Sequence, residues 1–197
     1  MTGQINVNKI CERTGTTALT INSNGTMTPS KMVYASFRTS ADTTFTAQQL
    51  VTNWEAMPAP ATTLGESMTH SSGIFTFPHT GKYLIKVHFQ QNANGGARAY
   101  AGGSIQYSSD SGGSYSKLIR TIPSIYGNGS WTTAYAEVLI GITNISTERI
   151  AFHVYVNGST VLSTTDNGTQ CIFQQVGKFM STIFANKIKN NQGGNNV

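Results

Sequence analysis

Four histidines, two cysteines and eight acidic residues are the side chains in this 197-residue chain from which chemistry could be built. Hydrolysis needs a nucleophile, a base and an orienting group, or two carboxylates flanking the bond to be broken, held in a recognisable local geometry. The carboxylates are Glu12, Asp42, Glu55, Glu66, Asp110, Glu137, Glu148 and Asp166, and no two lie close in sequence. His70, His79, His88 and His153 lack the His-x-x-x-His spacing that would aim two imidazoles at one metal. His88 and His153 fall at alternating positions of strand-like segments, the places of surface or cross-strand residues. Cys11 and Cys171 are far apart, and Cys171 alternates with Phe173 in an apolar run, as a buried free thiol would. Serine runs such as Ser108-Ser109 read as loops. The expectation is a protein that is not an enzyme and calls for no metal and no cofactor.

Two further residue classes offer binding chemistry. Tyr100, Tyr107, Tyr115, Tyr126 and Trp131 fall near expected loops and edges, where an aromatic ring either stacks on a sugar or serves a core or interface. Asn24, Asn128, Asn144, Asn157 and Asn167 each open an Asn-x-Ser/Thr triplet, a glycosylation acceptor pattern. Four of the five are Asn-Gly pairs, which tight turns demand anyway. Without a secretory leader, turn chemistry explains them better.

The elements that must carry these residues are strands. Only 11% of the residues are charged and 38% are hydrophobic, with 20 glycines and many Ser, Thr and Asn, a composition that suits an all-β protein and not a helical bundle. The net charge of +5 is scattered, with Lys178, Lys187 and Lys189 the nearest approach to a cluster, so no nucleic-acid groove is expected. No apolar run approaches the length of a membrane span, and no membrane insertion is expected. The start Met1-Thr2-Gly3-Gln4 leads into polar sequence and reads as having no signal peptide; together with the absence of a disulfide framework it implies synthesis in a reducing cytoplasm.

The organising stretch runs from Ile74 to Phe89. Tyr83, Ile85, Val87 and Phe89 alternate with Lys82, Lys86 and His88, which predicts a half-buried strand. Pro78-His79-Thr80-Gly81 reads as a tight corner preceded by Phe75 and Phe77, giving a hairpin-like strand, corner, strand. Period-two alternation also predicts strands over 131–142 and 149–156, with further strands over 32–37, 97–107, 115–125, 170–176 and 179–184. Residues 45–51 read as another strand, or 47–57 as one or two turns of amphipathic helix before Pro58. Ala and Gly crowd the 97–107 strand, which predicts a close backbone neighbour, expected near a symmetry axis. Pro123 predicts an edge position for 115–125. About eight to ten antiparallel strands in a sandwich make a jelly roll the natural architecture.

The arrangement Phe75, five residues, Gly81, one residue, Tyr83, one residue, Ile85 resembles the signature of the globular heads of the first complement component, relatives of the tumour-necrosis-factor ligands. Ile85 departs from the pattern, standing where an aromatic is usual. The strand pattern of the resemblance spans about residues 31–188, its specific motif about fifteen residues. It implies a jelly-roll head that assembles as a homotrimer, each protomer packing a sheet edge on the next. Phe75, Phe77, Gly81, Tyr83 and Ile85 are then expected to hold the fold and trimer core, with Tyr155 and Phe173 as inter-subunit contacts.

Residues 1–30 are thin in large apolar groups, and their Ile5, Val7, Ile10, Leu19 and Ile21 are spaced by Asn, Thr and Gly. This segment reads as an extended anchoring arm that adds strands to a neighbour, or as a disordered leader. Its opening is similar to the polar β-rich leaders of tailed-phage fibre and head-decorating proteins. The head is expected over 31–188 and a flexible tail over 189–197. The functional expectation is a bacteriophage virion surface protein, decorating the capsid or forming a head fibre, anchored by its arm to the major capsid or another virion protein. The alternative is a tail-fibre or receptor-binding tip that adsorbs to host glycan or protein through loops such as 108–114.

Overall fold

The computed structural model describes residues 9–11, 17–21, 23, 27–29, 32–61, 63–164 and 167–177. The strand expected over 179–184, the C-terminal tail, and Ile5 and Val7 of the arm lie outside the described residues.

Among the described residues there is no α-helix, and in particular none long and apolar enough to cross a membrane. The strands in chain order are β1 (Lys9–Cys11), β2 (Thr17–Ile21), β3 (Met27–Pro29), β4 (Val33–Thr39), β5 (Thr43–Phe45), β6 (Gln49–Leu50), β7 (Trp54–Ala56), β8 (Leu64–Gly65), β9 (Thr69–Ser71) and β10 (Ile74–Thr76). They continue as β11 (Gly81–Ala93), β12 (Ala101–Ser108), β13 (Ser116–Thr121), β14 (Trp131–Ile142), β15 (Arg149–Val156), β16 (Thr160–Leu162) and β17 (Gln170–Gly177).

Three sheets result. The arm strands β1, β2 and β3 pair with one another in antiparallel order, Ile10 opposite Leu19 and Ile21 opposite Met27. The described arm strands thus pair with one another, and the outer edges of β1 and β3 have no strand beside them among the described residues. The six-stranded sheet holds β13, β12, β15, β10 and β9 in order, with β6 on β15. The eight-stranded sheet places β11 between β14 on one side and β17 and β16 on the other, followed by β4, β5, β7 and β8. These two sheets face each other as a jelly-roll sandwich.

The alternation in the sequence sets which side of each strand is dry. In β11 the side chains of Tyr83, Ile85, Val87 and Phe89 are buried while Leu84, Lys86 and His88 on the other face are half-buried. In β14 Ala134, Ala136 and Ile142 are buried and Val138 and Ile140 pack against the core; in β15 Ile150, Phe152, Val154 and Val156 are buried. Burying each of the larger of these side chains contributes about 1.5–3 kcal/mol relative to exposure, which is what holds the two sheets together.

Two expectations are corrected. The corner at 77–80 is not a hairpin: β10 pairs with β9 and β15 in one sheet, β11 with β14 and β17 in the other, so the corner carries the chain across the sandwich. The segment 47–57 forms no helix; it contributes β6 and β7 and sends Val51 and Trp54 into the core. The small residues of β12 have close neighbours within the chain. A Cβ on Gly102 would lie 2.0 Å from the Thr121 carbonyl oxygen, and one on Gly103 2.3 Å from the Phe89 ring.

The antiparallel order gives the sandwich two poles. At the arm pole stand the start of β4, the corner at 77–80, the loops 109–115 and 143–148, and the end of β17. At the opposite, free pole stand the loops 94–100, 122–130 and 157–159 and residues 163–164 and 167–169.

Candidate functional site

Phe75 is the centre of the core. Its ring lies 4.9 Å from Phe173, 5.1 Å from Phe37 and from His70, 5.5 Å from Phe152 and 6.0 Å from Trp54, so one residue of the six-stranded sheet gathers rings from both sheets. Phe77 meets Tyr83 at 4.8 Å across the corner, and Ile85 is fully buried opposite Phe173. The Tyr83 hydroxyl donates to the His79 carbonyl at 2.8 Å, tying the corner down, and burial pushes this phenol up to about 12. Gly81 has φ 150°, and a Cβ there would lie 2.6 Å from the Gly177 carbonyl oxygen. The structure therefore brings Phe75, Phe77, Tyr83, Ile85 and Phe173 together with Gly81 beside them, inside one protomer. Phe173, expected at a subunit contact, is fully buried between the sheets and has no surface to offer a second chain.

Tyr155 lies apart from them. It points to the outer side of the six-stranded sheet, opposite Gly102, and is 8% exposed. The Lys117 ammonium sits 4.8 Å and the Arg120 guanidinium 5.3 Å from its ring centroid, and these two chains cover it.

The outer side of the eight-stranded sheet is where large apolar groups meet water. The register sets Leu84 opposite Leu139, Lys86 opposite Glu137 and His88 opposite Tyr135, with Ile172 beside Lys86 on β17. Leu139 is 58%, Trp131 52% and Tyr135 43% exposed, while Leu84 and Ile172 are half-buried. A Lys86–Glu137 ion pair at 3.5 Å and a His88–Tyr135 ring contact at 4.9 Å interrupt the stripe. The Tyr135 hydroxyl donates to Glu137, holding that carboxyl below and the phenol above their ordinary values. Partial burial, with Lys86 nearby, lowers His88, so its imidazole is neutral at neutral pH.

β14, twelve residues long, ladders only with β11 and so ends the sheet. Its free side receives a hydrogen bond from the Thr121 hydroxyl to the Tyr135 carbonyl at 2.8 Å. A long edge strand beside an apolar outer face is a surface that a soluble protein covers. The sequence pattern did not single this face out, because alternation marks the drier side of a strand and leaves its partner reading as merely mixed.

At the arm pole a buried carboxylate organises the loop between β14 and β15. Glu148 is 7% exposed and accepts from the Thr143 and Asn144 amides at 2.6 and 2.7 Å and from the Tyr107 hydroxyl at 2.7 Å. Burial works against its charge, yet these donors win and hold the carboxyl below its usual range. Burial and the Glu148 charge push Tyr107 up to about 12. The 109–115 loop is similarly closed on Asp110, which accepts from the Ser108 and Ser114 hydroxyls at 2.6 Å each and from the Ser114 amide at 2.9 Å; these bonds lower its pKa. Both carboxylates are saturated by loop donors and serve the backbone. Among the described residues no three His, Cys, Asp or Glu side chains gather where they could hold a metal ion. Cys171 is a fully buried free thiol, its pKa raised by burial.

No protein-family model matches the chain. No curated protein sequence matches it either. Solved structures do. The Eiger TNF of S. frugiperda superposes with a TM-score of 0.61 at 13% identity, covering 75% of this chain and 94% of that one. Murine APRIL at pH 5.0 gives a TM-score of 0.56 at 16% identity, covering 74% of this chain and all of that one. The arrangement reached from the strand register, two antiparallel sheets closed over an aromatic core, is the TNF-like jelly roll.

Proposed function

We propose that this chain is a non-enzymatic, self-assembling head: three copies pack around a common axis through the outer face and edge of the eight-stranded sheet, and the N-terminal arm attaches the assembly to a virion surface. The observation that carries the self-association is the stripe of Leu84, Leu139, Tyr135 and Ile172 beside the edge strand β14. A closed ring of copies covers both the apolar stripe and the unpaired edge, and leaves no open end on which further copies could add. Trimerisation is also what the complement-head resemblance implies, and the TNF-like fold supports it.

Attachment to a particle rests on the arm. Its polar, β-rich sequence stands outside the sandwich strands, and the start of β4, which follows the arm in sequence, lies at the same pole as the end of β17. The reading favours decoration of the capsid, because the head follows the short arm directly with no long repetitive shaft between them. Cryo-electron microscopy of particles carrying the chain tests this. Density over the capsid surface supports decoration; density confined to the tail rejects it, and absence of the chain from particles rejects the virion reading altogether.

A further inference from the structure

We infer that the outer face of the six-stranded sheet holds a site for a tetrahedral oxyanion, the phosphate or sulfate group of a small soluble ligand, formed by Arg120, Lys117 and the hydroxyl of Tyr155. The inference rests on the proposed assembly only in taking this face as turned to solvent, which it is both in a ring closed through the eight-stranded sheet and in a single chain.

Charge on this face is one-sided. The strands β13, β12, β15, β10, β9 and β6 carry Lys117, Arg120 and Arg149 and no aspartate or glutamate. The register sets Arg120 opposite Ser104, Ser104 opposite His153 and Lys117 opposite Gln106, so both cations stand on the same side as His153, Tyr155 and Arg149. Burial lowers the His153 pKa, and its imidazole adds no charge at neutral pH. Arg149 lies at the arm pole with acidic groups near it: it follows Glu148 in sequence and stands opposite Ser108, whose hydroxyl donates to Asp110. Lys117 and Arg120 form no ion pair with any described carboxylate.

Their donors are also unspent. Arg38 donates to Glu55 and Asn167, Arg98 to the carbonyls of Asn94, Ala97 and Ser159, and Arg149 to those of Ile145, Ser146 and Glu148. Arg120 alone of the described arginines donates to no protein acceptor, and the Lys117 ammonium has none either. A phenol follows the same division. Tyr83 and Tyr107 donate to the His79 carbonyl and to Glu148, whereas the Tyr155 hydroxyl has no partner among the described residues. The Tyr155 ring is covered, yet its oxygen is not sealed from solvent.

These donors are held together. The Lys117 ammonium and the Arg120 guanidinium both lie against the Tyr155 ring, at 4.8 and 5.3 Å from its centroid. Two like charges at one ring repel each other, and the ring offsets only part of that repulsion; an anion between them offsets the rest. The floor is fixed, since Ser104 and Gln106 are buried beneath and the Gln106 amide donates to the Ser104 hydroxyl at 3.2 Å.

The donor set selects the anion. A carboxylate presents two oxygens in one plane, which a guanidinium fork satisfies by itself. Fork, ammonium and phenol together match a group with more oxygens, and two cations match the nearly double charge of a phosphate monoester. A polyanion or a membrane surface needs a row of cations with free donors. On these strands Arg149 is the remaining cation, with its donors on loop carbonyls and carboxylates around it. The occupant is therefore one group on a small ligand.

The test titrates the full-length protein calorimetrically with inorganic phosphate, inorganic sulfate and acetate in a chloride buffer of constant ionic strength, and sediments it with phosphatidylcholine vesicles containing phosphatidic acid. Wild type is compared with Arg120→Gln, Lys117→Gln, Tyr155→Phe and, as an exposed cation on the other sheet, Lys82→Gln, each checked for melting temperature and molecular mass. Saturable binding of phosphate or sulfate at one per chain, weakened about tenfold or more by Arg120→Gln and measurably by Lys117→Gln and Tyr155→Phe, and unchanged by Lys82→Gln, supports the inference. No saturable binding of either ion, acetate held as tightly, a loss as large with Lys82→Gln, indifference to Arg120→Gln, or attachment to the vesicles alone overturns it. A trimer that falls to single chains with Arg120→Gln would make this face a subunit contact and overturn it too. Wild type found as a single chain that binds phosphate through Arg120 would remove the trimeric reading and leave the oxyanion site standing.

Discussion

Replacing Glu148 exposes how much of the arm pole depends on one carboxylate. It is the one charged residue among the buried polar groups of the described residues, and it accepts from two backbone amides and a phenol. Glu148→Ala leaves those three donors without their acceptor. Hydrogen bonds to a charged group contribute about 1.5–3 kcal/mol each, and water entering this pole recovers part of the loss, so the expected cost is about 4 kcal/mol. For a chain of this size that lowers the melting temperature by about 8–16 °C.

Glu148→Gln keeps a carbonyl that can take both amides, but it removes the charge and puts an NH2 donor where the other oxygen accepted from Tyr107, for about 1–3 kcal/mol. The two forms also differ in pH dependence. The folded-state pKa of Glu148 lies below its unfolded value of about 4.3, so the carboxylate's contribution is complete above that pH and is lost as the pH falls through the folded pKa. Urea midpoints at one fixed protein concentration, measured from pH 7 down to pH 3, should show wild type above the Gln variant at neutrality and converging with it in acid. A cost below about 1 kcal/mol for Glu148→Ala, or a gap to Gln that does not change with pH, would refute the assignment.

Other substitutions probe the turn, the strand and the arm. Gly81→Val should cost about 3 kcal/mol or more, since its Cβ meets the Gly177 carbonyl at 2.6 Å and φ is 150°; an unchanged thermal melt would contradict the corner geometry. Gly103→Ala should cost about 1–3 kcal/mol by driving a methyl into the Phe89 ring, read by the same denaturant titration. Removing residues 1–29 should leave an assembled head that no longer joins the particle, checked by light scattering and by co-sedimentation with particles. Loss of assembly would place the arm within the core.

The long strands were legible because each has one dry face and one wet one. Alternation located β14 and β15 and the start of β11, though β11 runs on to Ala93 past the expected end at Phe89, and with them most of the core: Tyr83, Ile85, Phe89, Ile150 and Phe152. Strands of two or three residues, such as β6, β8 and β16, are too short to show a period. The apolar spacing of Val51 and Trp54, which reads equally as a helical turn, serves instead to bury both, with the Trp54 indole donating to the Val51 carbonyl at 3.0 Å. The corner after Phe75 misled for a related reason. A hairpin and a crossover between facing sheets both require alternating apolar residues around a Pro-Gly bend, and only the pairing partners of β10 distinguish them. Phe173, expected at a subunit contact, is buried between the sheets, since a ring that joins two sheets is indistinguishable in sequence from one that joins two chains. The outer stripe and the pole to which each loop belongs depend on register and strand order, which no local pattern records.

The central claim is that copies of this chain cover the outer face of the eight-stranded sheet. Light scattering coupled to size exclusion, on wild type and on Leu139→Asp, tests it most directly, because a carboxylate buried without a partner costs several kcal/mol at an interface and nothing on a surface that faces water. The account expects wild type at three times the 21.1 kDa chain mass and the variant at a single chain mass with its β-sheet circular dichroism intact. Wild type running at 21.1 kDa across the micromolar range, or a trimer indifferent to Leu139→Asp, would contradict it.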